Sequence, residues 1–374
     1  MENHVPTARQ LHFHRLKLAK KEDLTKNTFI LEFEIPGDLK TNFDFEAGQY
    51  VTLRLNENGI SHQKDYSMTS APYESKIALG IKINREDSFA EALHRKLKEG
   101  DLVDVSEPRG RFTLISKPHE FRTIIAFAGG IGITPVLSHL KNLLHTEPRT
   151  RIFLFYGNRS DETIAFKKDL DLLVQQHVDR LGIHYFFSQQ KIGNGLFEGH
   201  INGKKVALII NQLLMLDDTD EESTIWDSVD EVLICGKGEM IKSVANACYE
   251  HGIPKKNIHF ELFQEFNEDI YPVEKEFPLV ENINVSFNLL GRSYRTTLRD
   301  NRMRLLQNLL IQNYPVPYSC KSGICGSCEC ILEEGKVEVL ENEYLTEKEE
   351  QSGKILACMS VVLSENIKVN FDLN

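Results

Sequence analysis

"FRTIIAFAGGIGITPVLSHLKNLL", residues 121–144, passes from a β-branched apolar run through a glycine-rich turn into an amphipathic segment. The first part reads as a buried strand. The last carries apolar residues at Val136, Leu137, Leu140, Leu143 and Leu144, the spacing of one helix face. Thr134 is expected to cap that helix and Pro135 to take its first position, where a missing N–H costs nothing. Gly129, Gly130 and Gly132 let the backbone come close to a ligand at the positive end of the helix, which suits a pyrophosphate. Taken alone, the turn lacks the third glycine of the usual dinucleotide fingerprint, and a plain tight turn also explains it.

The surroundings repeat the pattern. "RIFLFYGNR" (151–159), "IHYFFSQQ" (183–190) and "DEVLICGKGEM" (230–240) read as strands, separated by helical "AFKKDLDLLVQQ" and "KKVALIINQLL". Such β/α/β alternation is that of a parallel sheet, whose ligands sit at the carboxyl ends of the strands. Thr134, Arg159, Ser188 and Cys235 fall at those ends, so residues 119–265 are expected to form a nicotinamide-nucleotide α/β domain.

Upstream the period changes. Residues 1–118 carry short strands such as "TFILEFEIP", "GQYVTLRLN" and "KIALGIKIN", interrupted by one helical stretch, "SFAEALHRKL" (88–97), which predicts a small antiparallel barrel. In "KDYSMTS" (64–70) strand alternation puts Lys64, Tyr66 and Met68 on one face and Asp65, Ser67 and Thr69 on the other. One face then offers charge and aromatic surface together.

Downstream, "PYSCKSGICGSCEC" (317–330) holds four of the chain's 7 cysteines. The opening "MENHVPTARQLHFHRLKLAKK" has no apolar leader run, so the expectation is a cytoplasmic protein, in which disulfides are uncommon. Zinc favours doubled C-x-x-C pairs or paired histidines, and neither occurs. Cys320, Cys325 and Cys328 stand as C-x4-C-x2-C, with Cys358 following in "ILACMS", and this spacing favours a plant-type [2Fe-2S] cluster over zinc. Ser319, Ser322, Gly323, Gly326 and Ser327 are small enough for the loop to wrap tightly and aim N–H groups at the sulfurs. Cys330 reads as a buried residue of the outgoing strand and Cys248 as helix core.

A net charge of -11 argues against nucleic acid or an anionic membrane as partner, and no apolar run approaches a spanning helix. The acidic "DDTDEES" (217–223) is expected to be an exposed loop. One E-x-x-H pair, Glu91 to His94, falls short of the two that a di-iron bundle needs, and no Cys-x-His exists for a Rieske centre. Oxygen chemistry is therefore expected elsewhere.

With these motifs in place, residues 10–265 resemble the ferredoxin–NADP reductase superfamily. "KDYSMTS" stands at its R-x-Y-S flavin motif, "EPRGRF" before the nucleotide domain, "GGIGITP" at the pyrophosphate loop, and "YGNRS" and "CGKGEM" beyond it. Residues 281–374 resemble plant-type ferredoxins through "PYSCKSGICGSC" and "ILACMS". The resemblance implies a flavin, with Tyr66 and Ser67 lining the isoalloxazine and Lys64 and Ser88 meeting its phosphate; the motif serves FAD and FMN alike, and Ser88 favours FAD. Cys235 and Gly236 would border the nicotinamide and Glu261 the hydride path, making Ser67, Cys235 and Glu261 the candidate catalytic set. It also implies a β-grasp ferredoxin domain with the cluster on Cys320, Cys325, Cys328 and Cys358.

Two departures stand out: Lys64 where the family has arginine, and Gln189 where an arginine commonly grips a 2′-phosphate. Arg159 is left for that task, and the nucleotide is NADPH or NADH. The domain order, flavin, nucleotide, linker (266–280) and ferredoxin (281–374), is that of oxygenase reductases, and the linker, with two prolines, is expected to hinge. Hydride transfer delivers two electrons and the cluster takes one, so a flavin must stand between them. The expected route runs from NAD(P)H through FAD and the cluster to a partner oxygenase, ring-epoxidising or hydroxylating. The alternatives are a redox-sensing iron–sulfur flavoprotein and a stand-alone NAD(P)H:acceptor flavin reductase.

Overall fold

The computed structural model describes residues 12–57, 60–213, 228–263, 266, 268–271, 275–318, 321, 323, 326–340, 342 and 344–372. The acidic segment 217–223, Cys320 and Cys325 lie outside the described residues. Two compact units result, one of residues 12–263 and one of residues 266–372.

The first unit opens with β1 (Phe13–Thr25), β2 (Thr28–Glu34), β3 (Tyr50–Glu57), β4 (Ile60–Ser67) and β5 (Lys76–Lys82), then α1 (Phe89–Lys96) and β6 (Leu102–Ser106). These strands pair antiparallel in the order β4-β3-β6-β1-β2-β5. Just beyond β4, Met68 bridges Leu79 of β5 and the Thr69 N–H donates to the Ala78 carbonyl at 2.7 Å, so the two edge strands meet and the sheet closes as a barrel. Alternate residues fill its interior: Leu16 and Leu18, Phe29, Leu31 and Phe33, Val51 and Leu53 are all fully buried. Met68, which alternation put with Lys64 and Tyr66 on a functional face, is also fully buried in this core.

The same unit continues with β7 (Arg122–Gly129), α2 (Ile133–Thr146), β8 (Thr150–Asn158), α3 (Lys167–Gln176), β9 (Leu181–Phe187), α4 (Gly203–Leu213), β10 (Glu231–Gly236), α5 (Gly238–Glu250) and β11 (Ile258–Leu262). All five strands are parallel, in the order β11-β10-β7-β8-β9. After β7 the chain moves to one side, and for β10 it returns to the other. The reversal opens a crevice beyond the carboxyl ends of β7 and β10, where ligands of such sheets bind. One expectation is corrected here. α2 begins at Ile133 with Gly132 at its N-cap, so Thr134 and Pro135 lie within the first turn. Thr134 does not cap; its hydroxyl donates to the Ile131 carbonyl at 3.0 Å. Pro135 is tolerated because first-turn N–H groups have no intrahelical acceptor.

Barrel and sheet are bonded to each other. Ser138 donates to the Ser70 carbonyl at 2.6 Å, and Lys141 pairs with Glu74 at 3.2 Å. A Cβ on Gly80 would lie 2.6 Å from Phe166 Cζ, so only glycine lets β5 approach the sheet this closely. His139 is buried, which pushes its pKa down to about 4, and the neutral ring bonds the Phe112 carbonyl at 2.8 Å.

A buried ion pair ties β7 to the end of α2. Arg122 and Glu147, with side chains 1% and 0% exposed, meet at 2.6 and 2.8 Å. Thr150 and the Lys117 N–H donate to the same carboxylate at 2.5 and 2.9 Å. Burial alone would raise the Glu147 pKa, but these donors outweigh it and hold it below the ordinary value. Glu147→Gln strands a buried guanidinium. We expect a loss of about 3–5 kcal/mol, read from the shift in the urea midpoint.

The second unit comprises β12 (Glu281–Leu289), β13 (Arg292–Asp300), α6 (Leu305–Ile311), β14 (Glu329–Glu334), β15 (Val337–Val339), α7 (Glu347–Gln351), β16 (Lys354–Leu356), β17 (Ser360–Val362) and β18 (Asn366–Asn370). Its five-stranded sheet has the order β13-β12-β18-β14-β16, with the first and last strands, β12 and β18, parallel side by side. Leu305, Leu306 and Leu309 of α6 share its core, the β-grasp arrangement. Cys330 is fully buried on β14 opposite Ile355, and Cys248 is fully buried on α5, so both are packing residues. Among the described residues, no helix is long and apolar enough to cross a membrane.

Candidate redox site

At the topological switch, the turn Gly129–Gly132 faces Cys235 and Gly236. A Cβ on Gly132 would lie 2.2 Å from the Cys235 carbonyl oxygen, and Gly130 has φ +55°. The Tyr156 hydroxyl donates to the Gly130 carbonyl at 2.9 Å and holds the turn. Thr134 and Pro135 are buried beneath it, so they shape the helix start and present no side chain to the crevice. Arg159 and Ser188 come together at the carboxyl ends of β8 and β9: the Ser188 N–H donates to Asn158 and the Gln189 N–H to Arg159, each at 2.9 Å.

Sequence reasoning missed Lys82. It closes β5 of the barrel, yet its Nζ lies 3.7 Å from where a Gly130 Cβ would stand. Burial lowers its pKa, and nearby Arg159 and Lys237 lower it further. Among the described residues none of these three cations has an acidic partner, so positive charge is concentrated on the turn. That is the electrostatics of an anion site at a helix N-terminus. Read along the chain, Lys82 is only a lysine at a strand end, with nothing to link it to a turn in the next domain.

Across the crevice, Ser67 at the end of β4 donates to Glu261 of β11 at 3.0 Å, joining barrel and sheet through two candidate catalytic residues. Glu261 is half-buried, and desolvation pushes its carboxyl up to about 8; the Ser67 bond opposes this and Asp65 adds to it. Cys235 lies beside Glu261 in register and is fully buried, which raises its thiol pKa, so it stands as a neutral thiol.

Tyr66 packs on Phe89 at the start of α1, with ring centroids 6.4 Å apart. Its hydroxyl is buried and has no hydrogen-bond partner among the described residues, a cost of about 1–3 kcal/mol that a bound polar group would remove. Ser88 caps α1 by accepting from the Glu91 N–H at 3.2 Å, and Lys64 is exposed on β4. Arg109, beside these strands, donates to Thr52 at 2.7 Å and Asp65 at 3.1 Å. Orphaned hydroxyl, aromatic pair and capped helix start fit a flavin along β4 and α1.

In the second unit Cys328 and Cys358 are brought together, each 3% exposed, with the Cys358 N–H donating to Cys328 Sγ at 3.4 Å. Lys321, Gly323 and Gly326 have φ of +56°, +75° and +65°, and a Gly326 Cβ would strike the Tyr344 ring at 2.2 Å. A backbone that curls this way around cysteines, with an N–H aimed at sulfur, fits an iron–sulfur cluster. Cys320 and Cys325 complete the expected set from outside the described residues.

Comparison with known proteins agrees with this division. An oxidoreductase FAD-binding domain family matches residues 15–114, an oxidoreductase NAD-binding domain residues 127–246, and a 2Fe-2S iron-sulfur cluster binding domain residues 287–363. The chain is 28% identical to one of the subunits of the 1,2-phenylacetyl-CoA epoxidase of Escherichia coli (strain K12), over 96% of this chain and 98% of that one. It is 27% identical to the ferredoxin reductase component of 3-ketosteroid-9-alpha-monooxygenase of Rhodococcus rhodochrous, over 93% of each. A ferredoxin NADP+ reductase from Neisseria gonorrhoeae with bound FAD and NADP shares the fold, with a TM-score of 0.56 at 19% identity over 67% of this chain and 99% of that one.

Proposed function

We propose that this three-domain oxidoreductase is the reductase component of an oxygenase system, and that it passes electrons from NAD(P)H through FAD and a 2Fe-2S cluster to a partner oxygenase. The observation that carries the reading is the Ser67–Glu261 bond at 3.0 Å, which makes the flavin edge of the barrel and the nucleotide crevice one pocket. Both curated relatives named above are subunits or components of oxygenase systems, and they align over nearly the whole chain. A ring-epoxidising enzyme such as phenylacetyl-CoA epoxidase is our first choice of partner, and the cytoplasm the compartment.

When bound, the nicotinamide would supply an electron pair, the flavin the means of dividing it, and the cluster a one-electron carrier. The residues have separate tasks. Gly129, Gly130 and Gly132 admit the pyrophosphate to the start of α2, which Thr134 and Pro135 shape from below. Lys82, Arg159 and Lys237 neutralise phosphate charge, Arg159 beside Ser188 reaches a 2′-phosphate, and NADPH is the favoured nucleotide. Gly236 and Cys235 floor the nicotinamide pocket. Tyr66 and Ser67 line the flavin ring, and Lys64 with Ser88 holds its phosphate, favouring FAD over FMN. Glu261 keeps a proton beside Ser67. Cys320, Cys325, Cys328 and Cys358 hold the cluster. We assign residues 1–118 to the flavin domain, 119–265 to the nucleotide domain, 266–280 to the linker and 281–374 to the ferredoxin domain.

Anaerobic titration of the purified protein with NADPH, then NADH, tests this. Flavin and cluster bands should bleach together; a cluster that stays oxidised while the flavin bleaches overturns the route. Lys82→Met should raise KM for NADPH about 10-fold with kcat little changed, as loss of one charge-assisted contact predicts. Ferricyanide reduction measures both constants.

A further inference from the structure

The segment read in the sequence as the start of a hinge is packed against the C-terminal unit. Ile270 and Tyr271 are 1% and 3% exposed. Asp269 pairs with Arg304 at 2.8 Å, and Arg304, itself 7% exposed, donates through Nη1 to the Cys358 carbonyl at 3.2 Å. The same guanidinium lies 3.2 Å from Met359 Sδ. Two positions on, the Leu306 N–H donates to the Ala357 carbonyl at 3.0 Å, so the start of α6 grips the turn between β16 and β17 that carries Cys358. On the other arm of the cysteine loop, Lys321, next to Cys320 in the chain, donates through Nζ to the Phe266 carbonyl at 3.1 Å.

We propose that Phe266 and residues 268–271 are a clasp on the cluster site and that Arg304 is a positioning residue for it, locked by Asp269 against the Cys358 carbonyl. The proposal rests on Cys358 being a cluster ligand. Cys358 is then held on both sides of its backbone: its N–H points at Cys328 Sγ and its C=O is fixed by a buried fork. A guanidinium has the geometry to bridge a carboxylate and a carbonyl at once, which an ammonium lacks. Groups that orient a ligand in this way set how firmly the metal centre is retained.

The test uses the full-length holoprotein with an iron chelator, following the bleaching rate of the cluster and the electron paramagnetic resonance spectrum of its reduced form. Asp269 is nearly half exposed, so Asp269→Ala disturbs packing little. It should lose the cluster roughly 10- to 100-fold faster with an altered spectrum. Arg304→Lys should move in the same direction, and Asp269→Glu should restore the wild-type rate. Wild-type rates and spectra in both Asp269→Ala and Arg304→Lys overturn the clasp. Cys358→Ser runs beside them: if it retains an unaltered cluster, the ligand assignment fails, an outcome distinct from failure of the clasp.

Discussion

Cys328→Ser will leave NAD(P)H-driven bleaching of the flavin intact and abolish most electron delivery to a one-electron protein acceptor such as cytochrome c. The loss should exceed the roughly 10- to 100-fold that removal of an outer partner costs a metal site, because here a ligand itself goes. Cys328 is 3% exposed, and its sulfur accepts the Cys358 N–H at 3.4 Å, so a hydroxyl in its place forfeits both a soft thiolate and an N–H···S contact. The two assays separate because the proposed flavin and nucleotide residues lie in the unit of residues 12–263 and the cysteines in that of residues 266–372. A stand-alone flavin reductase would lose little in either assay, whereas a fall of equal size in both would overturn the relay.

The difference between what was legible and what was not follows chain distance. C-x4-C-x2-C is a local pattern: the three proposed ligands and their small fillers are written within nine residues, Cys320 to Cys328. The strand, glycine turn and helix of residues 121–144 are local too, since periodicity records which face is buried. Errors in the same stretch were errors of boundary. Thr134 and Pro135 look like a cap and first position, but the tight turn Gly130–Gly132 starts the helix earlier, and the cap is a glycine with no side chain to reveal it. Lys82, by contrast, reaches the glycine turn from the barrel, and Glu147 meets Arg122 across the length of α2 and its flanks. Polar partners brought together by tertiary packing carry no periodicity. Residues 268–271 were illegible for a further reason. Prolines and charges mark a segment without secondary structure, and such a segment can still be packed when its side chains, as with Ile270 and Asp269, find a core and an arginine.

Glu261→Gln should remove a large pH dependence of stability from the flavin-free chain. The carboxyl titrates at about 8 in the folded protein against 4.5 for the ordinary group, with desolvation the main cause. The sign follows from proton counting. Below pH 4.5 both folded and unfolded chains hold the proton, and Glu261 adds no pH dependence. Between that pH and about 8 the unfolded chain releases the proton while the folded one keeps it, so stability falls as pH rises; above about 8 both are ionised and the loss levels off. Discounted for partial exposure, the fall is on the order of 3 kcal/mol. Glutamine keeps a group able to bond Ser67 and cannot ionise, so the variant should lack this slope while matching the wild type near pH 5. Urea midpoints at pH 5 and pH 8.5 decide it, and parallel slopes for the two proteins would show that the carboxyl is ionised beside Ser67 at neutral pH. The same proton bears on turnover. A neutral carboxyl next to Ser67 leaves the crevice without a second acidic charge beside Asp65, and its ionisation would add one that repels an anionic nucleotide. KM for NADPH should therefore rise through pH 8 in the wild type and stay flat in Glu261→Gln.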